Sequence, residues 1–117
     1  MNCEDLVLKR QLRKGFLKVA ILKMLKERPM CAYEIMKTIE EKTRGLWVPS
    51  YSTIHAHLIQ MSMLGYIKGE RGGERGKIVY RITPKGEEVL KRAIKVIKEF
   101  VESLSVFVEE LFKEVKE

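Results

Sequence analysis

Residues 45–67 read GLWVPSYSTIHAHLIQMSMLGYI, twenty-three positions without one Lys, Arg, Asp or Glu, in a chain of which 33% is charged. Arg44 and Lys68 stand immediately on either side. A membrane span needs about 20 consecutive apolar residues, and Pro49, His55, His57 and Gln60 interrupt this one. Its apolar members recur at helical spacing instead. Ile54, Leu58, Met61 and Leu64, three and four apart, make one buried stripe. Ser50 is placed to cap the first turn, its hydroxyl accepting from an orphaned backbone N–H, and Gly65 to end the helix. At about 100° per residue, Ser52, Thr53, Ala56, Gln60 and Met63 point away from that stripe, while His55 and His57 sit on its margins. The stretch predicts a helix with an apolar back and a neutral, polar front.

Upstream, residues 4–27 carry Leu8, Leu12, Phe16 and Val19 beside Leu17, Ile21, Met24 and Leu25, which is helical periodicity with a wide apolar face. Gly15 predicts a bend, and Pro29 closes the segment because proline cannot continue a helix. A second helix is expected over 31–43, burying Ala32, Ile35, Met36 and Ile39, with Gly45 as its left-handed terminator. Trp47, in the linker before Pro49, reads as a core anchor pinning that linker onto the helix pair.

Downstream, residues 66–71 and 77–83 read as strands around Gly72-Gly73-Glu74-Arg75-Gly76, a β-hairpin with a basic, glycine-rich tip. Thr83-Pro84 then opens a last helix, an N-cap followed by proline at the first helical position. Leu90, Ile94, Ile97, Val101, Leu104, Val108, Leu111 and Val115 step through it as an unbroken heptad seam. Val89, Ala93, Val96, Phe100 and Phe107 form a second stripe alongside. Some 33 helical residues would extend about 50 Å, where a compact domain of about 100 residues spans about 26 Å. The seam therefore needs another chain, and the helix reads as a dimerisation helix.

At 117 residues the chain is one folding unit, divided here into residues 1–83 and the helical extension 84–117. Two cysteines, Cys3 and Cys31, make neither a disulfide framework nor a zinc signature. With no secretory leader in view, the reading is a cytoplasmic protein with reduced thiols and no membrane partner. Net charge is +7. Residues 1–83 hold sixteen basic and eight acidic side chains, and 84–117 seven and eight, so the excess lies wholly in the first part. A basic body favours a polyanion, nucleic acid before membrane.

Enzyme chemistry finds no support. No nucleophile is accompanied by a base and an orienting group, and Glu87-Glu88 and Glu109-Glu110 fall on a charged helix face. The glycine-rich tip would need Gly at Arg71 and Ser or Thr at Ile78 to be a phosphate-binding loop. His55 and His57 point about 200° apart on a helix and cannot share a metal. No metal or cofactor is expected.

Three helices, a hairpin with a basic tip and a long closing helix make the winged helix-turn-helix order: mainly α, with a small β-hairpin and a C-terminal dimerisation helix. In that arrangement the third helix enters the major groove of double-stranded DNA. Hydroxyl, amide and methyl groups of Ser52, Thr53, Ala56 and Gln60 are the base readers. Tyr51, His55 and His57 lie at the groove edges, next to the capping Ser50. Tyr33, Lys37, Arg71, Arg75 and Lys77 are placed to hold phosphates. A reading face without charge lowers indiscriminate phosphate binding by the helix that must choose a sequence.

The runs Ala32-Tyr33-Glu34-Ile35, Pro49 to Leu58, Leu64-Gly65-Tyr66-Ile67 and Tyr80 to Gly86, in this order and spacing, resemble the PadR family of transcriptional regulators. The family pattern reads approximately G-Y-E-I, P-S-x-G-T-I-Y-P-x-L, L-E-x-x-G-L-I and Y-x-L-T-x-x-G, and the likeness covers about residues 15–90. Ser52 stands for the family's Gly, His55 for its Tyr, Ala56 for its Pro and Ser62 for its Glu. The resemblance implies a cytoplasmic homodimer that binds a two-fold symmetric operator and usually represses, with His55 in the place of a Tyr associated with DNA contact. It also implies the short-tailed branch, some of whose members bind a small aromatic effector between subunits with the help of a Trp in the closing helix. Ile97 occupies that place here, and Trp47 lies in the linker. Two alternatives use the same residues: a winged-helix protein-interaction module, and a dimer-interface small-molecule sensor without strong operator binding of its own.

Overall fold

The computed structural model describes residues 3–72 and 74–115, with side chains described from Gly15 onward except that of Glu74. Helix α1 spans Cys3–Glu27, strand β1 Met30–Cys31, α2 Ala32–Lys42, α3 Tyr51–Met63, β2 Ile67–Arg71, β3 Ile78–Ile82 and α4 Pro84–Val115. A single 3-10 turn, Glu74–Gly76, lies at the tip between β2 and β3. No helix among the described residues is long and apolar enough to cross a membrane. The expected side chains of Cys3, Leu8 and Leu12 lie outside the described residues, as do the last two positions of the expected closing helix.

The core is one cluster shared by every helix. Leu17, Ile21, Met24 and Leu25 of α1 meet Ile35 and Ile39 of α2, Ile54, Leu58 and Met61 of α3, and Leu90 of α4. Helix α1 runs through Gly15 without interruption. Phe16, placed on the buried face by periodicity, is exposed, and so is Leu64 at 43%. Leu64 caps the end of α3 where the stripe turns outward.

The sheet has three antiparallel strands in the order β1-β3-β2. Ile67 opposes Ile82 and Arg71 opposes Ile78, which is the expected hairpin. The added strand is β1, whose Met30 and Cys31 pair with Tyr80 and Val79. It ties the segment after Pro29 to the wing and so sets where α2 begins.

That beginning is fixed by Glu34. Its carboxylate accepts from Cys31 N at 3.1 Å, closing the first turn, and from Arg28 Nη1 at 2.9 Å. The Arg28 guanidinium, with the Cys31 amide second, holds the Glu34 carboxyl below its ordinary pKa. Such a group binds fewer protons in the folded chain than in the unfolded one. Its contribution is therefore full above the ordinary carboxylate range and drains away as pH falls through the folded value. Urea unfolding is expected to show this acid-side loss, and Glu34→Gln to flatten it; identical profiles for both proteins would remove Glu34 from the account.

Helices α2 and α3 end alike. Gly65, at φ 80°, gives its N–H to Ser62 O, and Tyr66 N reaches Met61 O at 2.9 Å. At the end of α2 the same pair of bonds runs from Arg44 N to Glu41 O and from Gly45 N to Glu40 O. The left-handed position there is Arg44, at φ 54°, with Gly45 following at φ 79°. The expected terminator is thus one residue late, and an arginine takes a conformation that disfavours side chains.

Thr83 joins the wing to α4. Its hydroxyl donates to Gly65 O at 2.6 Å, with Tyr66 O at 3.0 Å, and accepts from Gly86 N at 3.0 Å. Its backbone N–H reaches Tyr66 O as well. One residue therefore caps α4 and binds it to the end of α3. From that anchor α4 runs 32 residues, and the Cα radius of gyration is 16.5 Å, where a compact chain of this size has about 13 Å.

Leu90 corrects the expected seam. It is 2% exposed and packed in the chain's own core, so the exposed apolar face of α4 begins at Ile94. Val101, Val108, Leu111 and Val115 are exposed, while Ile97 and Leu104 are partly covered.

Candidate nucleic-acid interface

The front of α3 is built as its spacing requires. Ile54, Leu58 and Met61 are buried, and Ser52, Thr53, Ala56 and Gln60 are all exposed. Ser50 caps the helix, accepting from Thr53 N at 3.2 Å, and its hydroxyl lies 2.8 Å from that of Thr53. These bonds fix the first turn, the part of a recognition helix that meets base edges.

Ile59 and Met63 share this front, 50% and 83% exposed. Sequence reasoning turned Met63 outward but passed over Ile59. The signal was available, because Ile59 lies three residues beyond Ala56 and seven beyond Ser52, on the same face.

His55 and His57 occupy the margins and are half-buried. The His55 ring stacks on Tyr51, with centroids 5.8 Å apart and planes at 14°. Its Nδ1 is buried without a hydrogen-bond partner.

Beside it lies a cavity of about 300 Å³, lined by Cys31, Tyr33, Tyr51, His55, Lys77 and Tyr80 among others. It brings the start of α2, the start of α3 and the tip side of β3 to one place. Tyr33 and Tyr51 are exposed, and Cys31 is a buried free thiol. Burial, and secondarily the nearby Tyr51, pushes the Tyr80 phenol up, so it stays a neutral member of this group.

The expected phosphate holders lie on α2 and the wing. Arg71, Arg75 and Lys77 are exposed along the wing, Arg75 at a φ of 65° in the tip turn. Lys37 is partly covered, 3.9 Å from Glu40 and shared with it. Helix α3 thus exposes an uncharged ridge, and the wing exposes cations.

A second concavity lies away from this face, an apolar cleft of about 600 Å³ between α1, the end of α2 and α4. Phe16, Val19, Trp47, Ile94 and Ile97 line it, together with Lys23, Lys42 and Lys98. Trp47 thus does two things: it packs against the core, as expected, and walls the cleft.

The sequence profile described as "Transcriptional regulator PadR-like family" matches residues 21–92. A solved transcriptional regulator from Clostridium thermocellum is 31% identical, with 84% of this chain and 95% of that one covered and a TM-score of 0.79. A PadR family transcriptional regulator from Eggerthella lenta shares the fold at 21% identity and TM-score 0.76, over 91% of this chain and 95% of that one. Bacillus subtilis PadR, solved in complex with operator DNA, shares it at 22% identity and TM-score 0.59, over 83% and 68%. Among curated proteins no relative matches.

Proposed function

The chain belongs to the PadR-like family of transcriptional regulators, and from that premise we propose that it is a cytoplasmic homodimeric repressor reading an inverted repeat in double-stranded DNA. The observation that carries this is the exposed, charge-free front of α3, in a chain whose wing exposes Arg71, Arg75 and Lys77. Bacillus subtilis PadR, whose fold the chain shares, is a protein that takes operator DNA.

Roles follow from the chemistry of each position. Gln60 is suited to adenine, Ser52 and Thr53 to either edge, and Ala56, Ile59 and Met63 to thymine methyls. His55 offers an imidazole where the family has a phenol. Tyr51 and His57 border the groove, and Tyr33, Lys37, Arg71, Arg75 and Lys77 hold the backbone. The apolar length of α4 from Ile94 to Val115 pairs two subunits, and so sets the spacing of the half-sites.

Selection of the purified protein against random duplex DNA is the direct test. An enriched inverted repeat bound far more tightly than random sequence is expected; enrichment of nothing would leave only a sticky basic body. Once the operator is known, Gln60→Ala is expected to relax preference at one base pair and cost about 1–3 kcal/mol there. Arg75→Ala is expected to weaken all sequences alike and to make the salt slope shallower by about one unit. Two variants that behave identically across sequences would end the division between reading helix and positioning wing.

A further inference from the structure

Four aromatic rings, those of Tyr33, Tyr51, His55 and Tyr80, line the cavity between the starts of α2 and α3 and the tip side of β3. Reading a duplex does not use them as ring faces. Base edges in a groove are met by hydroxyls, amides and methyls, and the backbone by cations. A ring face meets a base only when that base is out of its stack, and in an intact duplex every base is stacked. The cluster of rings is therefore surplus to the operator contacts assigned above.

The charge along this wall has one sign. Lys77 lines the cavity beside the rings, and none of the described lining residues is acidic. The fold also sets the rings in place. His55 lies stacked on Tyr51, with centroids 5.8 Å apart. Tyr80 is 7% exposed and held in β3 between Met30 and Gly69. A ligand entering here does not have to order these groups, which favours binding. The volume, about 300 Å³, stands at the small end of the range for ligand pockets. Rings for a base, a lysine for a phosphate and room for little else describe a single nucleotide.

Resting on the DNA-binding reading above, we propose that this cavity is the seat of a free nucleoside monophosphate, its base among the rings and its phosphate at Lys77. There the nucleotide competes with operator DNA. Tyr33, Tyr51, His55 and Lys77 are claimed by both ligands. An occupied seat takes Lys77 from the DNA backbone and fills the space beside the first turn of α3. Linkage makes the effect reciprocal: the duplex weakens nucleotide binding by the factor by which the nucleotide weakens the duplex. The seat lies within one subunit, so it does not depend on how two copies pair.

Titration calorimetry on the full chain without DNA tests the seat, with adenosine 5′-monophosphate as the probe. Adenosine and ribose 5-phosphate are each expected to bind at least about tenfold more weakly, since each keeps only part of the contacts. Lys77→Ala should weaken the monophosphate about tenfold and leave adenosine unchanged. His55→Ala should weaken both about tenfold, and His55→Phe, which keeps a ring, neither. Lys98→Ala, on the Trp47 cleft, should change neither. Anisotropy of a labelled duplex carrying the selected repeat then tests competition, and saturating monophosphate should raise its dissociation constant about tenfold. No binding of the monophosphate, ribose 5-phosphate bound as tightly as the nucleotide, or a loss in Lys98→Ala equal to that in Lys77→Ala would each overturn the seat. Duplex and nucleotide bound together at unchanged affinity would overturn the competition. A chain that takes the monophosphate but enriches no duplex would instead remove the DNA-binding reading and leave the seat standing.

Discussion

With Leu104 and Val108 both replaced by Glu, the chain is expected to sediment as a monomer and to bind its operator about 10²-fold or more weakly. The loss in affinity comes from linkage: a dimer holding one half-site presents the second reader at high effective concentration, and a monomer does not. Neither side chain belongs to the core cluster of its own chain, so the winged domain should keep its fold. A protein expected to bury them does so only against a second copy, and two carboxylates in that seam would be desolvated without partners. Circular dichroism at the wild-type helix content, together with monomer sedimentation, is the expected pair of results. Dimers that persist would show that the seam is not where the subunits meet.

The second large effect is expected at Gly86, in the first turn of α4. A Cβ there would run into the carbonyl of Tyr66 and meet Ile82 Cγ1 at 2.8 Å. That carbonyl is backbone, and it accepts from Thr83, so neither side can yield without opening the junction of α3, the wing and α4. Gly86→Ala should cost about 1–3 kcal/mol, and Gly86→Val more, read as shifts in urea midpoint at unchanged slope. Wild-type stability in Gly86→Ala would mean that α4 does not approach the Tyr66 carbonyl this closely.

Most of the architecture was legible because its signals are periodic or local. The stripe Ile54, Leu58, Met61 fixed α3 and its orientation, Ser50 and Gly65 fixed its ends, and Thr83-Pro84 fixed the start of α4. Strand β1 was not legible: two residues cannot show alternation, and Met30-Cys31 extend only because β3 offers a free edge. Arg44 was missed because a left-handed residue is expected to be glycine, and one stood next to it. Leu90 fits the heptad as well as Ile94 does; only the tertiary position of α1 decides which of them is covered. At the interface, residue type and spacing were enough to name the front of α3. That Tyr33, Lys77 and His55 border one cavity depends on how the wing folds over α2, which no spacing along the chain expresses.

The Thr83 junction makes α4 a lever. Its 32 residues give a continuous helical arm of about 48 Å, gripped at its root where the hydroxyl bonds Gly65 and Gly86. A tilt of about 5° at that fulcrum moves the far end by about 4 Å, slightly more than the rise of one base pair. In the proposed dimer, whatever shifts the two arms against each other would thereby be converted into misalignment of the proposed reading helices. A change of subunit packing too small to disturb any single core contact would be enough to put the second helix out of phase with its half-site.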